Sequence, residues 1–108
     1  MPELRLSVVI PTYNRRARLE RVLAAFDGQT PRRDDFEVVV VDDGSSDGTA
    51  EWLKNQTRSY TLRSLRLSNG GPARARNAGV EAATGQLVLF VDDDVEPSPA
   101  LIAEHVRF

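Results

Sequence analysis

Apolar residues recur along this chain in two alternating patterns: short runs that are nearly unbroken, and longer stretches with helical spacing. The clearest run is the valines at 38–41, which are typical of a strand buried on both faces of a parallel sheet. Similar runs occur before and after it, each bounded by Pro, Gly, Asn, Asp or Ser. We therefore predict four strands, over residues 4–12, 36–44, 60–68 and 86–91.

Between these runs, apolar residues lie three and four positions apart, as in one face of a helix. The residues Leu19, Val22, Leu23 and Phe26 show this spacing most clearly. Capping residues, prolines at first helical positions and a glycine after a last turn mark the ends. We predict helices over 16–29, from Asp47 or Gly48 to Asn55, from Pro72 to just before Gly85, and onward from Ser98 as N-cap with Pro99 at the first position.

The resulting order, β-α-β-α-β-α-β-α, predicts an α/β fold. Right-handed crossovers would give a Rossmann-like parallel sheet of about four strands with helices on both faces. The 108 residues suit a single domain spanning 1–108. Because ligands bind beyond the carboxyl ends of such strands, we expect function in the loops "PTYNR", "DDGSSDGT" and "DDDVEP".

Composition narrows the classes of partner. The formal net charge of -2 gives no basic field for nucleic acid, so we expect no nucleic-acid partner. The absence of cysteine excludes disulfides and thiolate metal sites. No signal peptide and no apolar run of roughly 20 residues is present, which predicts a cytoplasmic location for this chain and leaves membrane association of a full-length protein open. The apolar-periodic ending at Phe108 leads us to expect a piece of a longer protein.

Three consecutive carboxylates, Asp92, Asp93 and Asp94, follow the fourth predicted strand. Such like charges repel unless a cation lies among them or water screens them. Asp92 and Asp94 would project to the same side and could hold a divalent ion, and oxygen ligands favour Mg²⁺ or Mn²⁺. The alternative is a solvated turn that caps the next helix. We favour the metal site, because Ser98 already serves as that cap.

Two further carboxylates, Asp42 and Asp43, end the second predicted strand within a tight polar turn. Asp, Ser and Gly are common in turns and caps, so a purely structural role is as reasonable as a functional one. Two acidic strand ends in one sheet would nevertheless converge on one crevice. That convergence favours a binding role.

The first loop offers an aromatic ring, Tyr13, next to a predicted acidic crevice. A planar base could stack on this ring while donating a hydrogen bond to a carboxylate, although a surface turn would look similar. Neither "GxGxxG" nor a Walker A loop is present, so phosphate would need a metal ion and arginine. Arg74 and Arg76 in "NGGPARARNAG" could bind a diphosphate, or they could be solvated on an exposed helix face. We leave His105 out of the site, because a lone histidine is more often a surface or core residue than a ligand.

Four segments together, "SVVIPTYNR", "VVVVDDGSSDGT", "GGPARARNAG" and "LVLFVDDDVEP", resemble the N-terminal half of a glycosyltransferase family 2 enzyme of the GT-A fold. The resemblance covers residues 7–97. It implies transfer of a sugar from a nucleotide diphosphate sugar to an acceptor hydroxyl, with inversion and with Mn²⁺ or Mg²⁺. The resemblance specifies neither the acceptor nor the base and sugar of the donor.

The resemblance also implies roles for individual residues. The nucleotide-sugar-binding positions fall on Pro11, Thr12, Tyr13, Asp42, Asp43, Arg76, Asp92 and Asp93. The metal motif maps onto the acidic triplet, with Asp94 as the direct ligand and Asp92 as a second. The general base of the family lies in the second half of the domain, beyond residue 108. We therefore expect a donor-binding half that is inactive alone and that can self-associate through an exposed sheet edge or its last helix.

Two other classes of function stay open. A receiver-like signalling domain also gathers acids around Mg²⁺, but the single lysine, Lys54, lies in a predicted helix rather than at a strand end. A non-catalytic nucleotide-binding module could use the same fold, because a fold does not dictate function.

Overall fold

The predicted alternation of strands and helices is confirmed in a computed structural model, which describes residues 6–29, 36–99 and 101. In chain order the elements are β1 Leu6–Thr12, α1 Arg16–Phe26, β2 Phe36–Asp42, α2 Thr49–Lys54, β3 Thr61–Arg66, α3 Pro72–Ala82 and β4 Leu87–Phe90. Most of the last predicted helix lies outside the described residues. Within them, the amide of Leu101 donates to the carbonyl of Ser98 at 3.1 Å.

All four strands run parallel, in the order β3-β2-β1-β4, so the predicted parallel sheet is confirmed. β1 lies between β2 and β4, and Val9 is level with both Val39 and Phe90. Every residue of β2 is buried, as the run of valines predicted. β3 and β4 flank this pair and are more exposed.

Alternate residues of the central strands face opposite layers of helix, as the two-residue period of a strand requires. On one face, Val8, Ile10, Val38 and Val40 pack with the apolar side of α1 and with Leu53 of α2. On the other face, Val9, Val39 and Val41 pack with Ala75 of α3. Helices therefore cover both faces.

Several predicted elements are longer than those observed, because polar residues at their ends form turns. β2 stops at Asp42, whose carboxylate accepts a hydrogen bond from the amide of Ser45 at 2.9 Å. α1 stops at Phe26, and the next two amides bond to carbonyls three residues back. Across the described ranges, no helix has the length and apolarity needed to cross a lipid bilayer.

A buried carboxylate, Glu37, organises the amino end of the sheet. It is 1% exposed and accepts hydrogen bonds from the Ser7 hydroxyl at 2.6 Å, from Arg63 Nε at 3.0 Å and from the Thr84 amide at 2.8 Å. Burial would raise the pKa of Glu37, but these hydrogen bonds outweigh it and hold the pKa below its ordinary value. The charged form therefore fastens the turn after α3 to β1 and β2.

Replacing Gly79 with Ala should destabilise the protein by about 1–3 kcal/mol, because α3 approaches the sheet too closely for a side chain. A Cβ at Gly79 would overlap the stiff Val9 side chain and would lie 3.3 Å from Val41. Denaturant unfolding measures the loss. The same substitution at Gly28, where a Cβ meets only the Ala25 carbonyl oxygen at 3.5 Å, serves as control. Equal effects at the two glycines would contradict the close packing of α3.

Replacing Glu37 with Gln should lower the free energy of unfolding by about 1–3 kcal/mol at pH 7, because an amide cannot accept at both of its polar atoms. The stabilisation by Glu37 should also depend on pH. Since its folded pKa is lowered, the effect is full above the ordinary glutamate pKa of about 4.3 and is lost as pH falls through the folded value.

Urea unfolding from pH 7 to pH 3 checks this dependence. Wild type should lose more stability on acidification than Glu37→Gln does. Glu51→Gln, at an exposed position of α2, should follow wild type. If the free energy of unfolding falls equally with pH in wild type and in Glu37→Gln, the ionised Glu37 carboxylate does not contribute to stability.

Candidate functional site

The carboxyl ends of β1 and β2 and the segment after β4 meet at one edge of the sheet. They enclose an open cavity of about 410 Å³. Of the residues assigned to the site from sequence, eight line this cavity: Pro11, Thr12, Tyr13, Asp43, Arg76, Asp92, Asp93 and Asp94. Asp42 does not line it. The three loops singled out in the sequence therefore do converge.

The register of the central strands brings the first loop to the acidic triplet. Val9 is level with Phe90, and continuing this register by three residues sets Thr12 beside Asp93. The Thr12 hydroxyl donates to Asp93 Oδ2 at 2.8 Å. Burial raises the pKa of Asp93, and the hydrogen bond from Thr12 together with the nearby Arg15 offsets part of that rise. Asp93 is thus the buried anchor of the triplet.

The other two aspartates of the triplet are exposed and face solvent. Their shared orientation was predicted from strand alternation, but β4 ends at Phe90 and the triplet lies in a turn. The turn is closed by a hydrogen bond from the Val95 amide to the Asp92 carbonyl at 3.2 Å. The carboxylates of Asp92 and Asp94 are therefore accessible from the cavity.

Two arginines at the start of α1 supply positive charge to the triplet. Arg15 Nη1 lies 3.6 Å from Asp93 Oδ1 and 3.9 Å from Asp94 Oδ2. Arg18 Nη1 lies 3.7 Å from Asp94 Oδ2. Neither arginine is among the site residues predicted from the sequence. The available signal was their spacing of three residues, which places both on one side of a helix directly after the first loop.

The second loop is joined to the start of α3 by Asp43. Its two carboxylate oxygens accept hydrogen bonds from the amides of Gly70 and Gly71, each at 2.9 Å. Gly71 has a φ of 95°, a backbone conformation that a side chain would disfavour. This contact sets the position from which α3 begins and hence places Arg76 at the cavity. Asn69, just before the glycines, also lines the cavity and was missed in the sequence.

The neighbouring acid, Asp42, has turned away from the cavity. One carboxylate oxygen accepts from the Ser45 amide at 2.9 Å, and the other accepts from Arg66 Nη1 at 3.1 Å. Asp42 is 1% exposed. The structure therefore gives Asp42 contacts to its own loop and to β3, and the nucleotide contact implied by the resemblance stays a prediction.

Asn14 fastens the first loop to the second. Its φ of 53° lies in the left-handed region, which asparagine tolerates better than most residues. Its amide donates to Ser45 Oγ, and its side-chain oxygen accepts from the Ser46 amide, both at 2.8 Å. Tyr13, which precedes it, is 45% exposed. An exposed ring is thus carried by a loop that is fixed on both sides.

The chemistry of the cavity suits a divalent cation that shares its ligands with a phosphate. Among the residues described, no three His, Asp or Glu side chains are arranged to hold a metal by themselves. Mg²⁺ and similar ions commonly bind through one or two carboxylates plus substrate phosphates. Asp92 and Asp94 offer such a pair. Arg74, by contrast, donates to the Ser68 carbonyl at 3.2 Å and does not line the cavity.

Comparison with known proteins identifies relatives with the same sequence pattern. The validoxylamine A glucosyltransferase of Streptomyces hygroscopicus subsp. jinggangensis is 40% identical over 99 residues, which cover 90% of this chain and 24% of that protein. The poly(ribitol-phosphate) beta-N-acetylglucosaminyltransferase TarS of Staphylococcus aureus is 34% identical over 111 residues, covering 94% of this chain and 19% of that protein. This chain thus spans about a quarter or less of their length.

Solved structures show the same fold. S. aureus TarS 1-349, in complex with UDP-GlcNAc, superposes with a TM-score of 0.86 at 33% identity over 94% of this chain and 30% of that one. The mannosyltransferase PcManGT of Pyrobaculum calidifontis, in complex with GDP-Man and Mn²⁺, gives 0.78 at 32% identity over 92% and 30%. The sequence model "Glycosyl transferase family 2" matches residues 7–108. This chain therefore belongs to glycosyl transferase family 2, and its sheet is part of a GT-A fold.

Proposed function

We propose that residues 1–108 form the donor-binding half of an inverting, metal-dependent glycosyltransferase. The donor is a nucleotide diphosphate sugar, and the acceptor is a hydroxyl group. One observation carries this proposal: a single cavity is lined by an exposed aromatic ring, by the buried carboxylate of Asp43, and by a pair of accessible aspartates. The ring would stack on a base, and the carboxylate would bind the polar edge of that base. The pair of aspartates would bind a cation that holds a diphosphate.

The base would bind between the first and second loops. Tyr13 offers an exposed ring for stacking, and Pro11 and Thr12 line the adjacent wall. Each carboxylate oxygen of Asp43 accepts one hydrogen bond from a glycine amide, which leaves lone pairs free. Through these lone pairs, Asp43 would accept a hydrogen bond from the base. Asp42 would act as a positioning residue, because it holds the loop that presents Asp43.

The diphosphate would bind at the other end of the cavity. Asp94 is proposed as the direct ligand of Mn²⁺ or Mg²⁺ and Asp92 as the second, with Asp92 or Asp93 also reaching the ribose or the sugar. When bound, the cation would stabilise the negative charge that develops on the leaving diphosphate. Arg76, exposed one turn into α3, would add positive charge beside the phosphates.

Related structures support both the ligand class and the metal. TarS 1-349 has been solved in complexes with UDP and with UDP-GlcNAc. PcManGT has been solved with GDP-Man and Mn²⁺. These ligands belong to those proteins, and they support a nucleotide diphosphate sugar and a divalent cation as the expected ligands of this chain.

Transfer would also require groups outside the proposed donor-binding half. Inverting transfer needs a general base to deprotonate the acceptor hydroxyl. We place that base and the acceptor contacts in a following segment, which is consistent with the chain covering 24% and 19% of the relatives named above. Residues 1–108 alone should bind nucleotide weakly and transfer sugar slowly or not at all. Rapid transfer by the purified chain would falsify this division of labour.

Two broader expectations accompany the proposal. We place this half in the cytoplasm, whether or not a full-length protein associates with a membrane. We also expect the isolated chain to self-associate through β4, whose apolar side chains Leu87 and Phe90 are 42% and 46% exposed.

Replacing Asp94 with Ala should weaken Mn²⁺-dependent binding of UDP by about tenfold or more, because the direct metal ligand is removed. Isothermal titration of UDP and GDP, each with and without Mn²⁺, measures the effect. The exposed Glu51 on α2 provides the control: Glu51→Ala removes one carboxylate far from the cavity and should bind like wild type. Nucleotide binding that ignores both Mn²⁺ and Asp94 would contradict the proposed metal site.

Replacing Tyr13 with Ala should weaken UDP binding in the presence of Mn²⁺ by about tenfold, because base stacking on an aromatic ring is worth about 1–3 kcal/mol. Tyr13→Phe keeps the ring and should retain most of the affinity. Thermal unfolding of both variants should match wild type, since the side chain is 45% exposed. Equal losses of affinity in the Ala and Phe variants would assign the contact to the hydroxyl rather than to stacking.

A further inference from the structure

The arginines at the start of α1 have a consequence for how a cation enters the acidic triplet. We propose that Arg15 and Arg18 make the site discriminate against a bare divalent cation and in favour of the same cation carried by a nucleoside diphosphate. This inference rests on the proposed function, because it concerns the same aspartates. It assigns to the two arginines a selectivity that the aspartates alone would lack.

The arginines form ion pairs with the triplet and so act as its counter-ions. Arg15 Nη1 lies 3.6 Å from Asp93 Oδ1, and Arg18 Nη1 lies 3.7 Å from Asp94 Oδ2. Both come from one rigid element: α1 buries Leu19 in the core, and the amide of Arg16 donates to Asp47 Oδ2 at 3.1 Å. The two guanidinium groups therefore stay in the neighbourhood of the carboxylates even if an individual ion pair breaks.

The position of Arg18 limits how far any bound cation can be from a guanidinium. A cation coordinated by Asp94 Oδ2 sits about 2.1 Å from that oxygen, which itself lies 3.7 Å from Arg18 Nη1. The cation must then lie within about 6 Å of this nitrogen unless the side chain swings away. If the Arg18 side chain stays in place, its guanidinium group repels the cation. If the side chain swings away, its ion pair with Asp94 is broken. Both outcomes oppose binding of the bare ion.

The sign of this effect reverses when the cation arrives with its nucleotide. A nucleoside diphosphate carries more negative charge than the two positive charges of Mn²⁺, so the complex of the two is an anion. The guanidinium groups then attract the incoming complex rather than repel it. The arginines should therefore weaken binding of the bare ion without weakening binding of the complex.

The test compares the affinity for bare Mn²⁺ with the affinity for the Mn²⁺–UDP complex, in wild type and in the double variant Arg15→Gln, Arg18→Gln. Electron paramagnetic resonance of free Mn²⁺ gives the affinity for the bare ion, and isothermal titration with the preformed complex gives the affinity for the ion carried by nucleotide. Each arginine in this solvent-exposed setting should account for about a three- to tenfold effect on the bare ion. Measurements at low ionic strength keep this effect large.

Two control variants isolate charge from packing. Arg16→Gln removes the same charge from the same turn of α1, but Arg16 pairs with Glu20 at 3.0 Å and not with the triplet. Arg15→Lys, Arg18→Lys keeps both charges. Exposed ion pairs contribute little to stability, and Arg15 and Arg18 side chains are 49% and 56% exposed, so all variants should fold.

The expected result is tighter binding of bare Mn²⁺ in the double Gln variant, with no tightening of the Mn²⁺–UDP complex, while both controls behave like wild type. If the double Gln variant binds bare Mn²⁺ no more tightly than Arg16→Gln does, the inference is overturned. Equal tightening for the bare ion and for the Mn²⁺–UDP complex would overturn it too, because selectivity would be absent. If wild type binds no UDP in Mn²⁺ but the bare ion still binds more tightly in the variant, the proposed donor site fails while repulsion by the arginines stands.

Discussion

The position of β1 between two parallel neighbours is the constraint on which the candidate site depends. Because β1 pairs with β2 on one side and β4 on the other, the chain leaves all three strands at the same edge. One register sets Thr12 level with Asp42, and the other sets Thr12 beside Asp93. The strand register thus brings three loops that are distant in sequence to one edge, and contacts such as those of Asn14 with Ser45 and Ser46 then join them. The hydrophobic pattern that buries β1 and β2 also assembles the cavity.

Charge is distributed around this edge so that each carboxylate meets a different partner. Asp42 bonds to an arginine and a loop amide, Asp43 bonds to two glycine amides, and Asp93 accepts from a threonine hydroxyl. These contacts fix the loops and remove three acids from direct competition for a cation. The exposed acids Asp92 and Asp94 remain to face a ligand. The charge of the triplet is therefore stabilised partly by the hydrogen bond from Thr12 to Asp93, and partly by the arginines of α1.

Much of the fold could be predicted because its signals are local. Uninterrupted valines, helical spacing and capping residues each act over a few positions, and alternation of strands and helices leaves few topologies. The convergence of Tyr13 and Asp43 with the acidic triplet followed from that topology. Element ends were predicted too long, since a polar residue such as Asp42 can either continue a strand or close a turn.

Other features depend on tertiary placement and had no local signal. Adjacent acids such as Asp42 and Asp43 look alike in sequence, and only the positions of Arg66 and the Gly70 amide separate their roles. Glu37 lies within a run of apolar residues, and no local pattern predicts that Ser7 and Thr84 donate hydrogen bonds to its carboxylate. The ion pairs of Arg15 and Arg18 likewise require α1 to pack beside the end of β4, a relation that no short window of sequence contains.

The central claim is that nucleotide and cation bind together at the carboxyl edge of the sheet. Paramagnetic broadening of backbone amide resonances by Mn²⁺, with UDP present, tests it most directly. Selective broadening is expected at residues 92–94, with smaller effects at 12–13 and 69–71, and sharp signals for Glu37 and Thr84 at the opposite end. Broadening centred on the amino edge, or spread evenly over the surface, would contradict it.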